Sequence, residues 1–186
     1  MRSVPLWRSD TGCWPDRSDE YQTQAFGLSL YVPLFSGCTW RPDAYQTRSA
    51  AAAGVICQFD LANETFSLEA ARAALAEAKQ NQKYWYGDFY PLSDCLVGSK
   101  ALVAWQLHRS DLNEGIVVAF RRSECPYPVL QTALRGLKAE RTYRLEFIDE
   151  KRARTEAKLT GKDLLRQFEL RLAKKGTSLL VRYEAE

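Results

Sequence analysis

Ala101-Leu-Val-Ala-Trp-Gln-Leu107, His108-Arg-Ser-Asp-Leu-Asn-Glu-Gly115 and Ile116-Val-Val-Ala-Phe120 follow one another in the middle of the chain. Two apolar runs flank a link rich in turn formers, the pattern of a β-hairpin. Working outward toward the C-terminus, residues 129–134, 142–148, 168–172 and 178–183 read as further strands. The densest charge, Asp149-Glu-Lys-Arg-Ala-Arg154, has mixed signs and reads as a solvated turn. Thr160-Gly161 with Asp163 interrupts the series. Five or six strands without intervening helices predict an antiparallel β-sandwich.

Working outward the other way, the pattern changes near Asp88. Ser18 is placed to cap a short helix ending about Ala25 or Phe26. Leu28-Ser-Leu-Tyr-Val-Pro-Leu-Phe35 is a continuous apolar run and reads as a strand buried on both faces. Residues 36–43 read as a loop, and Val55-Ile-Cys57 as a strand. The clearest helix follows. Ser67 is a good N-cap, Glu69 suits the first turn, and Leu68, Ala71, Leu75 and Ala78 share one face. Strand and helix alternate, which implies a parallel sheet. The chain is therefore expected to be α/β over residues 1–87 and all-β over residues 88–186.

Composition narrows the function classes. The 186 residues carry 26 basic and 23 acidic side chains, a net charge of +3. A nucleic-acid binder usually gathers a strong basic excess on one face, so no nucleic-acid partner is expected. No run approaches the ~18 apolar residues of a membrane span. The N-terminal residues lack the apolar stretch of a signal peptide, so no membrane association and a cytoplasmic location are expected. Cys13, Cys38, Cys57, Cys95 and Cys125 are odd in number and never in CxxC spacing. Neither a zinc site nor a disulfide framework is expected from them. Five tryptophans, at 7, 14, 40, 85 and 105, are either core filling or platforms for the apolar faces of sugar rings.

Five motifs in order carry a resemblance. They are Trp7-Arg-Ser-Asp-Thr11, Gly27-Leu-Ser-Leu-Tyr-Val-Pro33, Thr47-Arg-Ser49 leading to Phe59-Asp-Leu61, Tyr86-Gly-Asp-Phe-Tyr-Pro-Leu92, and Ala104-Trp-Gln-Leu-His108 continuing through Glu114 to Arg122. Thr160-Gly-Lys-Asp-Leu-Leu165 agrees as well. The chain resembles the α-galactosidase (melibiase) group, glycoside hydrolase family 36, over essentially its whole length. The resemblance implies the C-terminal portion of a (β/α)8 TIM barrel followed by an antiparallel β-sandwich domain. Residues 1–87 would supply the last three barrel strands with their helices, and residues 88–186 the sandwich. The first five barrel strands would lie upstream of Met1.

The resemblance also implies a chemistry. Retaining hydrolysis of an α-galactoside needs two carboxyl groups roughly 5–5.5 Å apart. Asp10, in Arg8-Ser9-Asp10, matches the family's acid/base. It would protonate the leaving oxygen and then deprotonate the attacking water. The alternative for it is an aspartate capping a surface turn. The family's nucleophile stands in a Lys-x-Asp strand upstream of Met1, and Asp16, Asp19, Asp43, Asp60 and Asp88 do not match it. Trp7 would line the sugar pocket or pack in the core. Arg48 would hydrogen-bond sugar hydroxyls or pair with a carboxylate. Trp14 and Trp40 would contact further sugar units from loops at the barrel mouth. His108 is read as a hairpin residue without a catalytic task. No metal and no organic cofactor are implied, because the mechanism needs neither.

The expectation is thus a C-terminal piece of an α-galactosidase-like hydrolase, inactive as an isolated chain. Its partners would be an α-galactoside or related oligosaccharide and the missing N-terminal part as a separate polypeptide. The alternative is a non-catalytic carbohydrate-binding or structural β-sandwich module.

Overall fold

The computed structural model describes residues 6–7, 16–32, 34–94 and 97–186. Two units follow one another, Met1–Tyr86 and Gly87–Glu186. In the first, strands and helices alternate: β1 (Leu6–Trp7), α1 (Ser18–Ser29), β2 (Phe35–Thr39), α2 (Ala44–Ala50), β3 (Gly54–Cys57) and α3 (Leu68–Asn81). A 3-10 turn, Gln82–Tyr86, closes the unit. The strands lie in the order β1-β2-β3, and both pairings are parallel. Parallel neighbours need a long crossover, and α1 and α2 lie in those crossovers. Among the described residues the sheet is open and three strands wide, so no closed barrel is present in them.

The run 28–35 is not one strand. Helix α1 continues to Ser29, where the Ser29 hydroxyl donates to the carbonyl of Ala25 at 2.6 Å. The Leu30, Tyr31 and Val32 amides then close turns onto Gly27 and Leu28. Leu30 and Tyr31 are exposed, so the apolar run is not buried on both faces. The strand starts at Phe35 and occupies residues read as a loop. Phe35 is fully buried, and its ring meets Trp85 edge-on at 5.3 Å. Burying a side chain of that size contributes roughly 1.5–3 kcal/mol, which favours starting the strand there. Close approach of β2 and β3 needs Gly54, where a Cβ would lie 2.5 Å from Ser36 Oγ.

Helix α2 has a clear local cause. The Asp43 carboxylate accepts from the Gln46 amide at 2.8 Å and satisfies one free donor of the first turn. Ser67 caps α3 as the sequence indicates, accepting from the Ala70 amide at 3.1 Å. The buried face of α3 is rotated from the expected one: Ala71, Ala74, Glu77 and Asn81 are buried, whereas Leu68 and Leu75 are exposed.

The second unit holds β4 (Asp88–Pro91), β5 (Leu102–Arg109), β6 (Glu114–Arg121), β7 (Val129–Thr132), β8 (Thr142–Ile148), β9 (Arg154–Thr160), α4 (Gly161–Arg166), β10 (Phe168–Arg171) and β11 (Thr177–Ala185). A six-stranded antiparallel sheet runs β4-β5-β6-β11-β8-β9, and β7 pairs with β10 in a second sheet. Ala104, Val117, Ala119, Leu145 and Val181 form one core with Leu134, Leu164, Phe168 and Leu170. Those residues alternate along the strands of the large sheet, as a shared face requires. The β5–β6 hairpin turns as expected, with Asn113 at φ 53. Thr160 caps α4, accepting from the Asp163 amide at 3.1 Å. No described helix is long and apolar enough to cross a membrane.

Candidate functional site at the ends of the parallel strands

Parallel strands deliver their C-terminal ends to one side of a sheet, and loops there carry the chemistry in α/β folds. The ends here are Trp7, Thr39 and Cys57. Trp7 stands opposite Ser36, and Thr39 opposite Cys57. Asp10 and Trp14 lie outside the described residues, and Trp7 is described by its backbone as the last residue of β1.

A set of polar groups meets at these ends. The buried Cys38 thiol donates to Gln58 Oε1 at 2.9 Å, joining β2 to the residue after β3. The Gln58 amide donates to the Thr39 carbonyl at 2.9 Å, and the Thr39 hydroxyl to the Arg41 carbonyl at 2.8 Å. Gln46, buried in α2, accepts from the amides of Trp40 (3.1 Å) and Arg41 (2.7 Å). The Trp40 loop is therefore held by a side chain of the following helix, and Trp40 is partly buried on it.

Behind this rim, α2 buries a run of polar residues, Gln46, Thr47, Arg48 and Ser49. Ser49 Oγ accepts from Gln22 of α1 at 3.0 Å and donates to the Tyr45 carbonyl at 2.7 Å. Arg48 Nε and Nη2 donate to the two carboxylate oxygens of Glu77, each at 2.8 Å, with both side chains buried. This ion pair ties α2 to α3. A bidentate pair fixes geometry as well as charge. It also explains the rotation of α3, because Glu77 must face inward to meet Arg48.

The aspartates weighed from the sequence have separate duties. Asp16 pairs with Arg41 at 2.5 Å, and Asp19 accepts from the Tyr45 hydroxyl at 2.8 Å. Asp43 caps α2, and Asp60 accepts from the Ala62 amide at 3.1 Å. Asp88 opens β4 opposite His108. Among the described residues no cluster of three or more histidine, cysteine or acidic side chains is arranged to hold a metal ion. Cys38, Cys57 and Cys125 are free thiols, and partial burial pushes the Cys57 thiol above its ordinary value.

The second unit holds a buried polar cluster that sequence reading did not isolate. His108 is buried in β5, its Nδ1 3.1 Å from the Tyr183 hydroxyl, with the two rings stacked at 5.9 Å. Gln106 donates to the same hydroxyl at 2.7 Å and exchanges two bonds with the Arg135 backbone. Burial lowers the His108 pKa, against the raising effects of the Asp88 carboxylate, the Gly136 backbone, Asp111 and the Glu114 backbone. The alternation of strand residues was the available signal, since His108 and Gln106 fall on the same face as Ala104.

No family model matches the chain, and no curated protein matches it. Solved structures do. The galactosidase domain of the α-galactosidase–sucrose kinase AgaSK superposes with a TM-score of 0.72 at 16% identity, over 99% of this chain and 26% of that one. The α-galactosidase AgaA of Geobacillus stearothermophilus, a member of glycoside hydrolase family 36, matches as a variant in complex with 1-deoxygalactonojirimycin (TM-score 0.71, 17% identity, 98% and 26% covered). A further AgaA variant, in complex with stachyose, matches with a TM-score of 0.75 at 19% identity, again over 98% and 26%. The chain thus has the fold of about a quarter of these enzymes' length, in keeping with a C-terminal part.

Proposed function

We propose that the chain is the C-terminal part of an α-galactosidase-like retaining glycoside hydrolase. Residues 1–87 act as the last three βα units of a (β/α)8 barrel, and residues 88–186 as its β-sandwich domain. The observation that carries this reading is the agreement of order and geometry. Three parallel strands in the order β1-β2-β3, followed by two antiparallel sheets, align over 98–99% of the chain with solved α-galactosidases.

Asp10 takes the acid/base role. It follows the last residue of β1 by three positions, where barrel enzymes keep their catalytic groups. Its carboxyl protonates the glycosidic oxygen as the bond to the leaving sugar breaks, then accepts a proton from the water that releases galactose. The attacking carboxylate belongs to polypeptide beyond this sequence, as a separate chain or a longer frame. Trp7, Trp14 and Trp40 offer aromatic faces to the sugars of an α-galactoside or related oligosaccharide. Arg48 acts behind them by fixing α2, from which Gln46 holds the Trp40 loop. A cytoplasmic location belongs to the same proposal.

Turnover of an aryl α-galactoside tests it. The isolated 186-residue chain is expected to release no aglycone above background. Supplying the upstream polypeptide with its Lys-x-Asp strand is expected to restore hydrolysis, and Asp10→Asn to abolish it. Turnover by the isolated chain that disappears in Asp10→Asn would overturn the missing-nucleophile reading. Activity of the completed protein that survives Asp10→Asn would overturn the role of Asp10.

A further inference from the structure

The parallel sheet of the first unit has two unlike faces. Phe35 on β2 meets Trp85 edge-on at 5.3 Å, and Val55 on β3 lines a groove with Leu75 and Ala78 of α3 and with Gln82. Gly37 stands opposite Val55, so Phe35 and Val55 share the face that α3 covers. The alternate residues Ser36, Cys38 and Ile56 belong to the other face, with Cys38 opposite Ile56.

Gln58 continues that second face just past the end of β3. Its backbone N–H donates to the Thr39 carbonyl at 2.9 Å, and its side-chain Oε1 accepts from the buried Cys38 thiol at 2.9 Å. Main chain and side-chain tip are thus both tied to β2. With Oε1 turned to the thiol, Nε2 is turned away from it. The exposed Gln58 Nε2 has no partner among the described residues. The fold therefore fixes a carboxamide at the strand ends and leaves its donor half unused.

We propose that Gln58 is a sugar-binding residue whose Nε2 donates to hydroxyl oxygens of the α-galactoside. Cys38 is a positioning residue that decides which half of the carboxamide faces the ligand. The proposal rests on the glycosidase reading and deepens it. In a (β/α)8 barrel the helices ring the outside and the reacting groups stand at the C-terminal ends of the strands. Gln58 meets both conditions, because it follows the last residue of β3 and lies on the face away from α3. Two strand spacings, roughly 10 Å, separate β3 from β1, the strand that leads to Asp10. A neutral donor with two N–H groups suits hydroxyl oxygens, which accept without carrying charge.

NMR of the isotope-labelled full chain tests this by titration with the α-galactosyl disaccharide melibiose, up to about 100 mM to cover millimolar Kd values. Maltose serves as the control. The Gln58 side-chain amide and the Trp40 backbone amide are expected to shift along one saturation curve. Gln58→Ala, at an exposed position, is expected to leave the melting temperature unchanged and to weaken binding by about three- to tenfold. Cys38→Ala is expected to weaken it with Gln58 in place, and Cys38→Ser, which keeps a donor, to restore it. A shifting Trp40 amide beside an unmoved Gln58 side-chain amide overturns the proposal and leaves the glycosidase reading standing. So does a Gln58→Ala variant that binds like the parent. Binding unchanged in Cys38→Ala overturns the positioning role. No shift at Gln58 or Trp40 removes the sugar site from these strand ends and the proposal with it, whereas turnover by the completed protein judges the glycosidase reading separately.

Discussion

Replacing Glu77 by alanine removes the carboxylate that Arg48 grips with two bonds and leaves the guanidinium buried between α2 and α3. The two side chains are 3% and 7% exposed and joined by two bonds of 2.8 Å. Solvent screens such a pair little, and stranding one buried charge costs about 3–5 kcal/mol. At about 1.4 kcal/mol per decade, a loss near 4 kcal/mol speeds exchange through opening of this region by up to about a thousandfold. Hydrogen exchange read by mass spectrometry separates the two units. Peptides covering residues 44–57 and 68–81 should lose protection, while peptides covering 102–121 should keep it. Replacing both partners, Arg48→Met with Glu77→Leu, should recover most of the protection, because no unpaired charge remains. Exchange within about threefold of the parent in Glu77→Ala would refute the reasoning. A double variant as labile as the single one would refute it as well.

The His108 cluster predicts a pH dependence. Burial holds the folded imidazole below the unfolded value of about 6.5, so the unfolded chain takes up the proton first. Stability is therefore level above about pH 6.5 and falls as pH drops through the window down to the folded pKa. The difference in urea midpoint between parent and His108→Gln, measured at about pH 8 and pH 5.5, should shift in the variant's favour at the lower pH. A difference that stays constant would contradict this. Gly136 stands at φ +72, and a Cβ there would lie 2.8 Å from His108 Cδ2 and 3.2 Å from the Tyr90 hydroxyl. Gly136→Ala should cost about 2 kcal/mol in urea unfolding, whereas Gly176→Ala, at φ +64 in open space, should cost about 1 kcal/mol. Equal costs would mean that the crowding at His108 is not felt.

The second unit was the more legible in the sequence. Apolar runs mark β5, β6 and β11, which are buried on both faces over most of their length, and alternation marks β8, one face of which packs in the core. Strand β9 was hidden for the converse reason. It is an exposed edge strand, and its charges read as solvated chain. In the first unit, the apolar run 28–35 contains a helix end, a turn and the start of β2, which periodicity cannot separate. Helix α2 is polar on its buried side, so hydropathy gave no sign of it, although Asp43 followed three residues later by Gln46 is an N-terminal signature. The rotation of α3 was beyond the sequence, since it depends on Glu77 meeting a residue 29 positions away.

The candidate site was legible through local motifs and not through its tertiary partners. Trp40 follows β2 in a loop held by Gln46 six residues on, whereas the Cys38–Gln58 contact joins residues whose proximity only the parallel pairing of β2 and β3 creates. The reading of Arg48 turned on whether a carboxylate lay in reach, and Glu77 supplies one.

An acid/base aspartate at position 10 would have to present its carboxyl at the end of the parallel sheet that carries Thr39 and Cys57. A crystal structure of the chain in which residues 8–15 are traced tests it most directly. The expected result is that β1 leads into a loop at the end of the sheet shared with Thr39 and Cys57, with the Asp10 carboxyl accessible there. An Asp10 carboxyl packed at the opposite end of the strands, or buried away from that rim, would contradict it.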